Sequence, residues 1–151
     1  MKLRIVHVGK ASSLYRDAIE HYLSRIGHYA NIEMLATKQA RRLPREAAIE
    51  FEGERLISAL GPREIAVALS EEGRAMDSVA FARTIANLEL RSRPISLLIG
   101  GAYGLSSAVK SRADLVLSLS PMTMQHDVAL IVALEQIYRA MTILRGEDYH
   151  K

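Results

Sequence analysis

Apolar positions along the chain follow two alternating patterns. Short, mainly apolar segments are typical of the strands of a parallel sheet, and they occur at Leu3–Val8, Ile32–Thr37, Ile65–Ser70, Ile95–Ile99 and Leu115–Leu119. Between these runs, apolar residues recur at the spacing of one helix face. The alternation predicts an α/β fold in which a parallel-rich sheet of five or six strands carries helices on both faces.

Capping residues mark the starts of the predicted helices. Ser12 or Ser13 precedes the first helix, Asp77 or Ser78 precedes the third, and Ser106 precedes a short one. The third helix is expected to bury Val79, Ala82, Ile85 and Leu88. The longest helix is predicted over residues 128–144, and its expected buried face is Val128, Ile131, Val132, Leu134, Ile137, Tyr138 and Met141.

Length and composition are those of one globular domain. The chain has 151 residues, of which 49% are hydrophobic and 25% are charged, so we expect residues 1–151 to form a single domain. No long apolar run with a small-residue cleavage site follows the first residue, and we expect a cytoplasmic protein. The chain contains no cysteine, which excludes disulfides, thiolate metal sites and cysteine nucleophiles.

The charge of the chain gives weaker information about its partners. The formal net charge is +3 and the pI is about 9.3, which agrees with a polyanionic partner but does not require one. Two Phe and no Trp argue against an RNA-binding platform of several stacked aromatics. The densest basic segment is Arg41-Arg42, with Lys38 and Arg45 nearby. We interpret it as a solvated loop in preference to a phosphate contact.

Ligands of open parallel sheets bind beyond the carboxyl ends of the strands, which here means the loops after Ser70, Ile99 and Leu119. The loop after Ile99 has three glycines within residues 100–104, which suit either close approach to a ligand or a tight turn into the next helix. Its spacing matches neither the dinucleotide-binding pattern G-x-G-x-x-G nor a phosphate-binding P-loop. Dinucleotide and nucleoside triphosphate chemistry is therefore disfavoured.

The loop after the fifth strand mixes polar and apolar residues around Pro121. Such a segment can offer backbone groups to the edge of an adenine while its Leu and Met side chains cover the ring, although a plain connecting loop has the same composition. His126 ends this loop and opens a helix, whose dipole disfavours the protonated imidazole. The five histidines of the chain are scattered without the spacing of a metal site.

Four segments resemble the motifs of a known family. Residues 97–106 (LLIGGAYGLS) resemble its L-L-I-G-G-x-x-G-L-S, and residues 117–126 are similar to its loop ending in Thr-Leu-Pro-His. Residues 135–140 (EQIYRA) and the terminal Tyr149-His150 match as well. The chain resembles the ribosomal RNA large subunit methyltransferase H family (RlmH), within the SPOUT superfamily. The resemblance spans the whole chain and is most specific in its last third.

The resemblance implies a single SPOUT-type methyltransferase domain with a deep trefoil knot near the C-terminus. It implies a homodimer whose active sites use both subunits. The implied reaction is S-adenosylmethionine-dependent methylation, without a metal, of N3 of a pseudouridine in helix 69 of 23S rRNA on the assembled ribosome. Carried over by motif, the cofactor-binding residues are Leu69, Gly100, Gly101, Leu119, Ser120, Pro121, Met122, Thr123 and Met124. The catalytic residues on the substrate side are His126, Arg139, Tyr149 and His150.

The residue types suit the implied chemistry. N3 of pseudouridine is an imide nitrogen that becomes a good nucleophile only as its proton leaves, and a histidine is a suitable base for that step near neutral pH. His126 and His150 both qualify, and the sequence leaves the choice between them open. Arg139 can hold a phosphate or a developing oxyanion through paired donors.

Three positions depart from the family pattern. Gln125 replaces a proline, Ala102 replaces the proline after the two glycines, and Leu130 stands where an arginine is common. We expect Ala102 and Leu130 to lie near the edge of the substrate or cofactor site, so that they affect RNA contact more than the fold. The alternatives are a knotted methyltransferase that acts on another RNA such as tRNA, and a non-catalytic ribosome-binding module.

Overall fold

A computed structural model describes all residues from Met1 to Lys151. The strands are β1 (Lys2–Val8), β2 (Asn31–Thr37), β3 (Ile65–Ala75), β4 (Ile95–Ile99) and β5 (Leu115–Ser118). The helices are α1 (Arg16–Ile26), α2 (Arg45–Ser58), α3 (Ser78–Glu89), α4 (Ser107–Arg112) and α5 (His126–Arg145), with a 3-10 turn at Ser13–Tyr15 before α1. None of the helices combines the length and hydropathy that crossing a bilayer requires.

The five strands form one sheet in the order β2-β1-β4-β3-β5, and every neighbouring pair is parallel. Helices α1, α3 and α5 cover the face that carries Leu3, Val67 and Leu97. Helices α2 and α4 cover the opposite face, which carries Val6 and Leu98. The predicted α/β class and the sheet covered on both faces are confirmed. The threading of the C-terminal segment into a trefoil knot stays a prediction that rests on the resemblance.

Local signals placed most element boundaries correctly. The side chains of Ser12, Asp77 and Ser106 each accept a hydrogen bond from a backbone amide in the first turn of the helix that follows. β3 is longer than predicted, because residues 74–75 pair again with β5 after a register shift. The part of β3 beyond Ser70 is mainly polar, so the apolar pattern did not predict it.

The buried face of α5 differs from the predicted one. Three predicted positions are buried, namely Leu134, Ile137 and Met141. Four are half-buried or exposed, namely Val128, Ile131, Val132 and Tyr138. The enclosed positions in their place include Leu130, Ala133 and Ala140. Because α5 is apolar on more than one side, its period alone does not fix its rotation, and the alanines let it pack closely on α1 and α3. In α3, likewise, Phe81 takes the buried place predicted for Val79.

A buried ion pair joins the central strands at their amino ends. Arg4 on β1 donates to Oε1 of Glu64 at 2.5 Å, and Ser96 on β4 donates to Oε2 at 2.9 Å. Burial by itself raises the pKa of Glu64, but the hydrogen bonds from Arg4 and Ser96 outweigh it and hold the pKa below its usual range. The Glu64 carboxylate is therefore charged at neutral pH and satisfies two side chains that have little access to water.

A buried imidazole lies at the carboxyl end of β1. His7 is 3% exposed, its Nδ1 has no hydrogen-bond partner, and its ring centroid is 5.4 Å from that of His126. Burial, with a smaller contribution from the neighbouring His126, lowers the pKa of His7 to about 4. His7 is therefore neutral in the folded chain at neutral pH.

We expect Glu64→Ala to destabilise the chain by about 3 kcal/mol, because it leaves the Arg4 guanidinium and the Ser96 hydroxyl without their acceptor. The matched change Glu50→Ala on the exposed side of α2 should cost less than about 0.5 kcal/mol. Urea denaturation followed by circular dichroism measures both values. Equal midpoints for the two variants would show that the ion pair contributes nothing to stability.

We expect the stability of the chain to fall as the pH is lowered from 6.5 towards 4. Unfolded His7 takes up a proton near its ordinary pKa of 6.5, but folded His7 does so only near 4, so acidification within this window favours the unfolded chain. His7→Leu should flatten the pH dependence in this window, and His28→Leu at an exposed position should not. Denaturant midpoints at pH 7 and 4.5 test this, and identical slopes in the wild type and His7→Leu would contradict it.

Candidate active site

A cavity of about 320 Å³ lies at the carboxyl ends of β3, β4 and β5, where their loops meet the start of α5. These are the three loops that the sequence singled out, and they are adjacent because β3 lies between β4 and β5. Eight of the nine predicted cofactor-binding residues line the cavity: Leu69, Gly100, Gly101, Leu119, Ser120, Met122, Thr123 and Met124. Pro121 is not among the lining residues and is exposed on the same loop.

The glycine loop closes into a tight turn. Gly104 has a φ of +82°, which favours glycine, and its amide donates to the carbonyl of Gly101 at 3.0 Å. Ser106 then caps α4 through the amide of Val109. The glycines therefore form a tight turn into α4, and the same turn presents glycine backbone to the cavity. The two interpretations of this loop from the sequence are compatible. Ala102 is exposed and lines the cavity, as expected for a position at the edge of the site.

The sequence analysis missed several lining residues. Arg45, interpreted from the sequence as part of a solvated loop, lines the cavity at the start of α2, and its Cζ lies 5.5 Å from the ring centroid of Tyr103. Glu71, in the polar continuation of β3, lines the cavity as well. Glu71 follows Ser70 directly, in a loop that the sequence singled out, although the residue itself was not selected. The proximity of Arg45 to the glycine loop is a tertiary property that its local sequence does not reveal. No group of three or more His, Cys, Asp or Glu side chains lies close enough together to hold a metal ion.

His126 lines the cavity from the first turn of α5. Its Nδ1 lies 2.8 Å from Oδ1 of Asp127, and Oδ2 of Asp127 accepts a hydrogen bond from the amide of Ser12 at 3.2 Å. Gln125 caps α5, because its Oε1 accepts hydrogen bonds from the amides of Asp127 and Val128. The residue that replaces the family's proline thus stabilises the start of the helix.

Asp127 is a functional candidate that the sequence analysis did not select. Burial by itself raises the pKa of Asp127, but hydrogen bonds from His126 and the amide of Ser12 outweigh it and hold the pKa below its usual range. A charged Asp127 accepts the Nδ1 proton of His126, which leaves the lone pair on Nε2. That Nε2 has no hydrogen-bond partner and is screened from solvent in the single chain.

Arg139, Tyr149 and His150 form a second cluster with Glu135. Two nitrogens of Arg139 donate to Oε1 of Glu135 at 2.5 and 3.0 Å, and the hydroxyl of Tyr149 donates to the same oxygen at 3.2 Å. Nη1 of Arg139 lies 3.3 Å from Nδ1 of His150. The hydrogen bond with Glu135 raises the pKa of Arg139, and burial together with Glu135 raises the pKa of Tyr149 to about 12. At neutral pH the guanidinium is charged and the phenol keeps its proton.

The four predicted catalytic residues thus fall into two groups. His126 and Arg139 lie on the same helix, and thirteen residues of α-helix (139 minus 126) span about 20 Å. A single chain therefore does not bring the Arg139 cluster to its own cavity. The expectation for Leu130 was wrong: it is fully buried in the core rather than at the edge of the site, because it lies on the inner face of α5.

Comparisons with known proteins show which family the sequence of this chain resembles. The family described as "Predicted SPOUT methyltransferase" matches residues 1–150. A ribosomal RNA large subunit methyltransferase H from Anaeromyxobacter sp. (strain Fw109-5) is 48% identical over the full length of both chains. The protein of that name from Nitratidesulfovibrio vulgaris (strain DP4) is 44% identical over 98% of this chain and 97% of its own.

Solved structures show the same fold at low sequence identity. A probable methyltransferase from Bordetella pertussis Tohama I superposes with a TM-score of 0.56 at 16% identity, over 93% of this chain and 96% of that one. The SpoU methyltransferase AviRb from Streptomyces viridochromogenes, solved in complex with the cofactor AdoMet, gives a TM-score of 0.50 at 18% identity over 97% and 59%. From the full-length matches in sequence, the chain belongs to the ribosomal RNA large subunit methyltransferase H family of SPOUT methyltransferases.

Proposed function

We propose that this chain transfers a methyl group from S-adenosylmethionine to ribosomal RNA. The observation that carries the proposal is the cavity at the carboxyl ends of β3, β4 and β5, which joins glycine backbone to the side chains of Leu69, Met122 and Met124. Its size is that of a small-molecule site. Backbone amides and carbonyls suit the hydrogen-bonding edge of an adenine, and the apolar side chains suit its faces. The curated relatives are named for ribosomal RNA methylation, and the neighbour AviRb was solved with AdoMet.

The finer proposal is methylation of N3 of a pseudouridine in helix 69 of 23S rRNA, on the assembled ribosome. S-adenosylmethionine supplies an activated methyl group on a sulfonium, so the protein must mainly bind, orient and accept a proton. The proton on the imide nitrogen has to leave as the new bond forms. A neutral histidine is suited to accept it.

His126 is favoured over His150 as that proton acceptor. Asp127 fixes the tautomer of His126 and stabilises the imidazolium that proton transfer creates. His150 instead lies beyond the C-terminal end of α5, where its Nδ1 is 3.3 Å from Nη1 of Arg139. Arg139 is proposed to hold the pyrimidine carbonyl or a neighbouring phosphate of the RNA, oriented by Glu135.

A homodimer is part of the proposal. The cavity and the Arg139 cluster are about 20 Å apart along α5, and a second copy of the chain is the simplest source of an Arg139 cluster for each cavity. A C2 arrangement would create two equivalent composite sites. It would also cover apolar side chains that the single chain leaves open, including Val128 and Leu144.

The direct test of the reaction compares three RNA substrates. Purified protein with radiolabelled S-adenosylmethionine should label assembled ribosomes, and should label free rRNA and tRNA far less. Mass spectrometry of 23S rRNA from cells lacking the gene should show loss of one methyl group at a helix 69 pseudouridine. Labelling of tRNA instead would support a different RNA target, and labelling of none would overturn the enzyme assignment.

Mixing two inactive variants tests the composite site. His126→Ala and Arg139→Ala should each lower turnover at least about 100-fold, with smaller effects on S-adenosylmethionine affinity. After subunit exchange, a mixed dimer has one site with both residues intact, and random exchange restores about a quarter of wild-type activity. The double variant mixed with His126→Ala is the control, since no intact site can form. Absence of rescue in the first mixture would mean that each active site lies within one chain.

A further inference from the structure

Glu52 is a buried carboxylate with one unpaired oxygen. It lies on α2, a helix that carries none of the predicted site residues, and it is 5% exposed. Its Oε1 accepts a hydrogen bond from the amide of Ala40 at 3.1 Å, but its Oε2 has no hydrogen-bond partner. It takes part in no ion pair with an Arg, Lys or His side chain. An unpaired buried carboxylate is costly, so a compensating interaction is expected.

The free oxygen of Glu52 lies close to Gly101, one of the residues that line the cavity. A Cβ built on Gly101 would be 2.5 Å from Oε2, which is too close for a real side chain. Gly101 itself lines the cavity. Glu52 therefore packs against the backbone of Gly101, a residue that lines the cavity, and the absence of a side chain at Gly101 is what allows the approach.

Other charges at the cavity do not replace that of Glu52. Glu71 lines the cavity but is exposed, so water and salt screen it. Asp127 is already paired with His126. Arg45 is cationic, exposed and placed over Tyr103. Glu52 is the anion beside this cavity that is both buried and unpaired.

We propose that Glu52 is the counter-charge for a cationic ligand in the cavity, and that it favours S-adenosylmethionine over S-adenosylhomocysteine. This inference rests on the proposed function. The methyl donor carries a positive sulfonium, and transfer of the methyl group turns it into a neutral thioether. A buried carboxylate attracts the sulfonium of S-adenosylmethionine, because water and salt screen charges weakly in the protein interior. It does not attract the thioether sulfur of S-adenosylhomocysteine in this way, because that sulfur carries no net charge. Glu52 thereby assists both binding of the donor and release of the product.

The test compares the affinities of the two ligands in matched variants of the full chain. Glu52→Gln removes the charge but keeps an oxygen acceptor for the amide of Ala40. We expect it to weaken S-adenosylmethionine binding about tenfold and S-adenosylhomocysteine binding less than about twofold, measured by calorimetry. Glu54→Gln on the exposed side of the same helix is the control and should change neither affinity.

Equal weakening of both ligands by Glu52→Gln would overturn the proposal and leave Glu52 as a structural residue that holds the segment around Ala40 to the glycine loop. Should Glu52→Gln fail to fold, the wild type still provides a test. Its preference for S-adenosylmethionine over S-adenosylhomocysteine should persist from low to high salt, because a buried charge is little screened. A preference that disappears with salt would assign the selectivity to surface charges. If the wild type binds neither ligand, the proposed function itself fails.

Discussion

Parallel hydrogen bonding of β3 between β4 and β5 is the constraint on which the site depends. Parallel strands all end at one edge of the sheet, so three loops that are far apart in sequence meet there. The glycine loop contributes backbone, the loop after β5 contributes apolar side chains, and α5 starts between them with His126. A sheet with another strand order would contain the same motifs without joining them into one cavity.

The charges beside the cavity are set by burial and pairing. Asp127 keeps its charge because His126 and a backbone amide donate to it, and His7 stays neutral at neutral pH because burial lowers its pKa. Glu52 is buried with one oxygen unpaired. Asp127 is thus paired and His7 is neutral, whereas the carboxylate of Glu52 near Gly101 is the one that we propose to attract a positive ligand.

Helix α5 acts as a spacer between two chemically distinct groups. It carries His126 at its first residue and Arg139 more than three turns later, and its rotation buries Leu130 and Ala133 while leaving Val128 and Leu144 exposed. A rigid helix cannot fold back on itself to join the two groups. The composite site that we propose follows from this separation, since a second chain can supply what one chain keeps apart.

The sequence by itself determined the positions of the five strands, the helix caps and the motif segments, but not the extension of β3 beyond Ser70. These depend on residues close together in the chain: mainly apolar segments predict the strands, and Asp77 or Ser106 caps a helix through an amide in its own first turn. The glycine loop and the loop after β5 were also identified from neighbouring residues, because each follows a predicted strand and has a composition that suits a ligand-binding loop.

Only the tertiary structure decided which face of α5 is buried and which distant residues border the cavity. The period of an apolar helix leaves its rotation open, and packing against α1 and α3 chose the side with Ala133 and Ala140. Arg45 and Glu52 reach the glycine loop from α2, which no local pattern records. Strand order and helix packing set these contacts, because they depend on how separate elements meet in space rather than on the residues beside each of them in the chain.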